Sequence, residues 1–159
     1  MAQRHSFGKN NRNLFVLLLK TIYLVVLVDS AVAENAVGEL LINPTTVRFL
    51  RLKWRFIAGF DISATPAAAN GVVYFPSWNG YLYAVLAGNG ALIWKKNLGN
   101  LTGLPPTGAY VNVTVSRSTP TIANDLLIVG IYGPALVIAV KRLNGQLVCL
   151  SHLDLRPML

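Results

Sequence analysis

One cysteine, Cys149, and two histidines, His5 and His152, are all the thiol and imidazole metal ligands this 159-residue chain has. A single thiol excludes an intramolecular disulfide, so no disulfide framework can hold the fold. Acid is also scarce, with six Asp+Glu against fourteen Lys+Arg and a formal net charge of +8. The acids beyond residue 33 (Glu34, Glu39, Asp61, Asp125 and Asp154) are scattered and show no metal-ligand spacing. His152 has no partner signature. Charged residues make up only 13% of the chain, whereas 53% is hydrophobic and thirteen residues are glycine. That composition excludes disorder and describes a core-rich, turn-rich chain of one ordinary domain.

Four of the fourteen basic residues precede Glu34, which leaves ten Lys+Arg against five Asp+Glu, or +5, in the remainder. The tightest basic cluster is Arg48, Arg51, Lys53 and Arg55. From Arg51 to Phe56 its charges alternate with apolar residues, the period of a half-buried strand with one wet face. No aromatic-interleaved basic groove is present, so nucleic acid is not an expected partner.

The N-terminus reads as an address. Arg4, Lys9 and Arg12 precede a stretch from Leu14 to Val28 that is apolar except for Lys20 and Thr21. Ala31-Val32-Ala33 then supplies a small-x-small cleavage pattern. Residues 1–33 are therefore expected to be a helical signal peptide cleaved after Ala33, which places the protein outside the cell, in the cell wall space. The alternative is an uncleaved helical membrane anchor. A spanning helix wants about 20 apolar residues, and the uninterrupted run here is only Ile22 to Val28. Two N-x-[ST] sequons, at Asn100 and Asn112, agree with export and are candidate N-glycosylation sites.

An internal repeat organises the rest. Thr65-Pro66-Ala67-Ala68-Ala69-Asn70 is echoed by Thr119-Pro120-Thr121-Ile122-Ala123-Asn124, an offset of 54. Ala84-Val85 matches Ala139-Val140, Asn89-Gly90 matches Asn144-Gly145, and Trp94 matches Cys149, all at 55. One residue is therefore inserted, with Gly133-Pro134 the expected place. Each copy reads as four short strands joined by tight turns, with Asn-Gly pairs as the hairpin signal. Such a meander is one blade of an all-β propeller. The expected boundaries are a lead-in at 34–51 and a partial propeller at 52–159. Its repeats lie at about 63–98 and 117–150, with an inserted loop at 99–116.

The pattern Thr-Pro…Asn-Gly-x-Val-Tyr…Gly-Tyr-Leu-Tyr-Ala-Val…Gly-x-Leu-Ile-Trp resembles the repeat of quinoprotein alcohol dehydrogenase-like propellers, which is named for pyrroloquinoline quinone (PQQ). Within that family it looks most like the polyvinyl-alcohol-dehydrogenase-like proteins of plants. The most distinctive pieces are residues 75–80, Phe-Pro-Ser-Trp-Asn-Gly, and 116–120, Ser-Arg-Ser-Thr-Pro. The resemblance implies PQQ-dependent alcohol oxidation, with PQQ and Ca²⁺ as cofactors. It points to Arg117 and Trp78 as candidate cofactor-binding residues and to no catalytic residue or metal ligand. Leu86 and Lys141 stand where the family's repeat has an acid, and Cys149 stands where it has a girdle tryptophan. Family propellers carry six to eight blades, so the chain is expected to be an N-terminal fragment. Its partners would be the remaining blades, or further copies through open blade faces. Alternative functions are a non-catalytic extracellular scaffold segment and a truncated, inactive product.

Overall fold

Asn70 and Gly71 both take positive φ, 51° and 76°, the combination a type I′ turn needs to join two right-twisted strands without splay. The hairpin they close pairs β4 (Ala67–Ala69) with β5 (Val72–Pro76). Two further antiparallel pairings add β6 (Tyr81–Leu86) and β7 (Leu92–Asn97), giving a four-stranded meander in chain order. The second copy repeats it with β8 (Thr121–Ala123), β9 (Leu126–Ile131), β10 (Leu136–Lys141) and β11 (Leu147–His152). These observations come from a computed structural model that describes residues 14–18, 23–29, 50–105, 113–133 and 136–152.

Both meanders carry the same irregularity. Ala84 opposes Trp94 and Ala139 opposes Cys149, and in each sheet the register shifts immediately afterwards. The turns that follow are also alike. Leu86 and Lys141 donate their N–H groups to the carbonyls of Ala91 and Gln146 at 2.8 Å. Asn89 and Asn144 accept from Ala91 N and Gln146 N through their side chains, both at 3.0 Å. The inserted residue lies between Gly130 and Val137, the partners that match Pro76 and Leu82. Asn79-Gly80 departs from the type I′ expectation, since only Gly80 has positive φ. The Asn79 side chain accepts from Tyr81 N at 3.1 Å and closes the turn instead.

Packing runs from one sheet to the next. Tyr74, Leu82, Ala84 and Trp94 of the first meander are buried against Leu127, Val129, Ile138 and Val140 of the second. The first meander's other face, with Val73, Phe75, Tyr83 and Val85, packs on Trp54 and Phe56 of β3 (Leu50–Ile57). Trp54 donates its indole N–H to Ala87 O, and Trp94 donates its own to Arg142 O, both at 2.9 Å. The two bonds span 33 and 48 residues. The 15 extra residues belong to the connection expected at 99–116. That connection contains a short helix, α1 (Leu98–Thr102), with Asn97 capping Asn100 N and Gly103 closing the end at φ 68°.

The described residues of the N-terminal stretch are not helical. Leu14–Leu18 (β1) and Tyr23–Asp29 (β2) are strands, and together with β3 they form a three-stranded antiparallel sheet in the order β1-β2-β3. Val16, Val25, Val26 and Val28 are β-branched, which favours strand over helix, and the free edge of β3 supplies the hydrogen-bonding template. Among the described residues, no helix is long and apolar enough to cross a membrane.

Candidate functional site

Loops that enter the innermost strands, β4 and β8, lie beside the turns that leave β5 and β9. In the first blade Trp78 N donates to Asp61 O at 2.8 Å, and in the second Tyr132 N donates to Val115 O at 2.9 Å. Both steps are 54 residues, the repeat offset, so Trp78 and Tyr132 are equivalent positions on successive blades. The same offset makes Arg117 the counterpart of Ser63.

Arg117 contacts both of these aromatics. Its guanidinium carbon lies 4.1 Å from the centre of the Trp78 ring and 4.4 Å from that of Tyr132. Both distances are inside cation–π range. Trp78 is fixed by its indole N–H, which donates to Ser63 Oγ at 2.8 Å. The backbone around Arg117 is fixed on both sides. Ser118 Oγ accepts from Gly130 N at 2.8 Å and donates to Gly130 O at 3.2 Å, while Ser116 Oγ accepts from Ser118 N at 3.3 Å. A Cβ on Gly130 would lie 3.3 Å from Ser118 Oγ, so the strand's glycine permits that close approach.

Both rings thus engage the guanidinium by cation–π contact. Among the described residues, Arg117 makes no hydrogen bond or ion pair in addition to these contacts. A guanidinium carries five N–H donors in a planar fork, the geometry that matches a carboxylate or a pair of carbonyl oxygens. Arg117 is exposed, and Tyr132 is 42% exposed, so an incoming ligand has access. The arrangement can therefore present a preorganised cation and an aromatic edge to a planar anion.

Deeper in the same turn, Ser77 is fully buried and donates to the carbonyls of Phe60 or Asp61, each at 3.1 Å. Asn79 donates through its amide to Ala58 O and Tyr83 OH, and Tyr83 donates to Ala58 O at 3.2 Å. Burial pushes the Tyr83 phenol above the usual tyrosine value, partly offset by the Asn79 hydrogen bond. Tyr74 is raised for the same principal reason, with the Arg142 charge opposing it.

A separate depression of about 380 Å³ is lined by Asn97, Asn100, Leu104, Val113 and Thr114, and it shares no residue with the Arg117 cluster. Asn100, the first sequon asparagine, is exposed on α1. Asn112 and Ala33 lie outside the described residues. Among the described residues, no group of three His, Cys, Asp or Glu side chains could hold a metal ion.

Thus the two residues that the sequence pattern singled out, Trp78 and Arg117, are in contact. The third member, Tyr132, was legible only by carrying the 54-residue offset from Trp78 into the second copy.

No protein-family profile matches the chain, and no curated protein does. Solved structures do. The chain is similar to BamB from Moraxella catarrhalis, at TM-score 0.52 and 18% identity, over 64% of this chain and 28% of that one. It is similar to a europium-containing methanol dehydrogenase, at TM-score 0.64 and 16% identity, over 87% and 23% of the two chains. It is also similar to quinohemoprotein alcohol dehydrogenase from Comamonas testosteroni, at TM-score 0.65 and 14% identity, over 89% and 20%. The shared fold is the β-propeller, of which this chain is an incomplete ring. It spans 20 to 28% of the length of these three structures.

Proposed function

We propose that these blades belong to a quinoprotein alcohol dehydrogenase-like propeller, in which Arg117 anchors an anionic planar quinone at the end of the ring where β4 and β8 begin. One observation carries this reading. Arg117 is held by Trp78 at 4.1 Å and Tyr132 at 4.4 Å with its hydrogen-bonding edge left unused. The likeness to methanol and alcohol dehydrogenases supports it at the level of fold, and the repeat's resemblance to the polyvinyl-alcohol-dehydrogenase-like proteins refines it to a sub-family.

The described residues fit part of a quinone's needs. Arg117 matches its carboxylate or carbonyl oxygens, and Trp78 and Tyr132 offer aromatic surface beside them. They do not supply ligands for a Ca²⁺ ion, which on this proposal come from blades beyond this chain. Bound PQQ would supply the two-electron acceptor for alcohol oxidation. This chain's share is to fix the cofactor's orientation and to neutralise negative charge at one edge of it. The blade face that carries Cys149 is the counterpart of the Trp94 face, which the second meander covers. A further blade is its proposed partner.

Titration of the full chain with PQQ, with and without Ca²⁺, tests the reading through tryptophan fluorescence and melting temperature. Saturable quenching in the wild type and its loss in Arg117→Ala are expected. Equal, non-saturable quenching in both chains would overturn it. A second reading takes the Trp78–Arg117–Tyr132 stack as an inter-blade staple in a non-catalytic propeller segment, favoured by the Trp78–Ser63 bond that already commits the indole. In that case Arg117→Ala lowers the melting temperature while PQQ has no effect on either chain.

A further inference from the structure

The apolar stretch that reads as a signal peptide is paired, residue for residue, as a blade is. Leu14 opposes Val28 and Val16 opposes Val26 in the β1–β2 ladder. In the next sheet Val72 opposes Leu86 and Tyr74 opposes Ala84. In the third, Leu126 opposes Lys141 and Ile128 opposes Ala139. The steps from Leu14 to Val72, from Val26 to Ala84 and from Val28 to Leu86 are all 58 residues, so the two ladders superimpose without a gap. The correspondence continues into the outer strand. Val26 opposes Trp54, and the register shifts between Val26 and Leu27. The same shift follows Ala84 opposite Trp94 and Ala139 opposite Cys149. A β-bulge is a positional device, and its recurrence beside the girdle residue in three sheets marks three copies of one blade.

Two independent observations agree. Trp54 of this sheet docks on Ala87 O just as Trp94 docks on Arg142 O, so the first sheet stands to the second as the second stands to the third. In addition, a fold shared over 89% of 159 residues takes in about 141 of them. Only 126 follow Ala33, so the likeness extends into the first 33. Lys20 and Thr21, which interrupt the apolar run awkwardly for a leader, stand in the sequence between Leu18, the last residue of β1, and Tyr23, the first of β2.

We propose that Leu14–Leu18 and Tyr23–Asp29 are the second and third strands of a first blade and remain in the folded protein. Their apolarity serves the propeller and not a removable leader. Cleavage after Ala33 and this blade exclude each other, because removal of residues 1–33 takes both strands away and leaves β3 without its partner. The β3 strand would then keep Trp54 on the core but expose its own hydrogen-bonding edge.

Amide hydrogen exchange on the full chain, read by mass spectrometry, tests this. Peptides covering Leu14–Leu18 and Tyr23–Asp29 are expected to exchange at least about tenfold more slowly than unstructured amides, alongside those of Val72–Pro76 and Tyr81–Leu86. Unprotected N-terminal strands beside protected β5 and β6 would overturn the proposal, and so would a chain protected nowhere. Expression in a secretory host gives the second readout. A folded product retaining residues 1–33 supports the blade, whereas a folded, exported product beginning at Glu34 overturns it.

Discussion

Trp54 lies against Gly90 so closely that a Cβ built on the glycine would fall 2.6 Å from Trp54 Cε3. The relationship recurs one blade later, where a Cβ on Gly145 would fall 2.9 Å from Trp94 Cε3 and 2.7 Å from Lys96 Cγ. Each girdle indole thus seats on a glycine three residues beyond the carbonyl that its N–H bonds. The glycine is required twice over, by this approach and by φ of 75° and 68°.

Gly90→Ala is therefore expected to cost about 2–4 kcal/mol, from strain at positive φ and overpacking against a ring that cannot withdraw. Gly145→Ala should cost nearly as much, since its Cβ would fall 2.9 Å from the Trp94 ring as well as 2.7 Å from Lys96 Cγ. Gly71→Ala is the control, because its φ is 76° yet nothing lies within 4 Å of the added Cβ, and it should cost about 1–2 kcal/mol. Urea unfolding followed by tryptophan fluorescence would rank the three, and equal losses would refute the docking argument.

Much of this could be read from the sequence because turns and girdle residues are written in residue types. Asn70-Gly71 announced a hairpin, and the offsets of 54 and 55 residues announced the two blades. Cys149 was matched to Trp94 by repeat offset alone, and the ladders set the two opposite the equivalent alanines, Ala139 and Ala84. The first blade was hidden because its strands carry no Thr-Pro opener and no Asn-Gly turn. A run of Leu and Val beside basic residues satisfies the rules for a leader equally well. Only pairing to β3 separates the two, and pairing is a long-range property. Tyr132 escaped for a different reason. The second copy reads Val-Gly-Ile-Tyr-Gly-Pro at 129–134 where the first has Phe-Pro-Ser-Trp-Asn-Gly at 75–80, so no shared residue type marks the position.

Arg117→Ala removes two exposed cation–π contacts, each of about 0.5–1 kcal/mol, so a loss of about 1–2 kcal/mol is expected in chemical unfolding. Arg117→Lys should recover only part of it, because a compact, strongly hydrated ammonium engages two rings at once less well than a delocalised guanidinium. The double variant with Trp78→Ala separates pairwise coupling from bulk packing. Additive losses would mean that Arg117 and Trp78 act independently, contrary to the 4.1 Å geometry.

Cys149 is exposed on β11, at the edge of the last sheet. In native protein its thiol is expected to react with a disulfide reagent at a rate close to that in denaturant. Cys149→Ser should change stability by less than about 0.5 kcal/mol, as for other surface replacements. A protected thiol, or a large loss on replacement, would show that the face is covered in solution. Sizing the wild type beside the Ser variant under oxidising conditions would then show whether a second copy does the covering.

Tyr74 and Tyr83 give the chain an alkaline limit. Burial raises both phenols above the ordinary tyrosine value of about 10, so the folded state holds these protons more tightly than the unfolded state does. Above pH 10 the unfolded chain has begun to ionise while the native one has not. By linkage, stability present in full below that pH then falls as pH rises through the native values. A melting temperature that is flat from neutrality to about pH 9 and then declines is expected, together with late-titrating tyrosine absorbance near 295 nm. Tyr83→Phe should flatten part of the alkaline decline. It should also lower stability at neutral pH, because the Asn79 amide loses one acceptor and Ala58 O one donor. An unchanged alkaline profile in Tyr83→Phe would show that the Tyr83 phenol is not the group whose proton the fold retains.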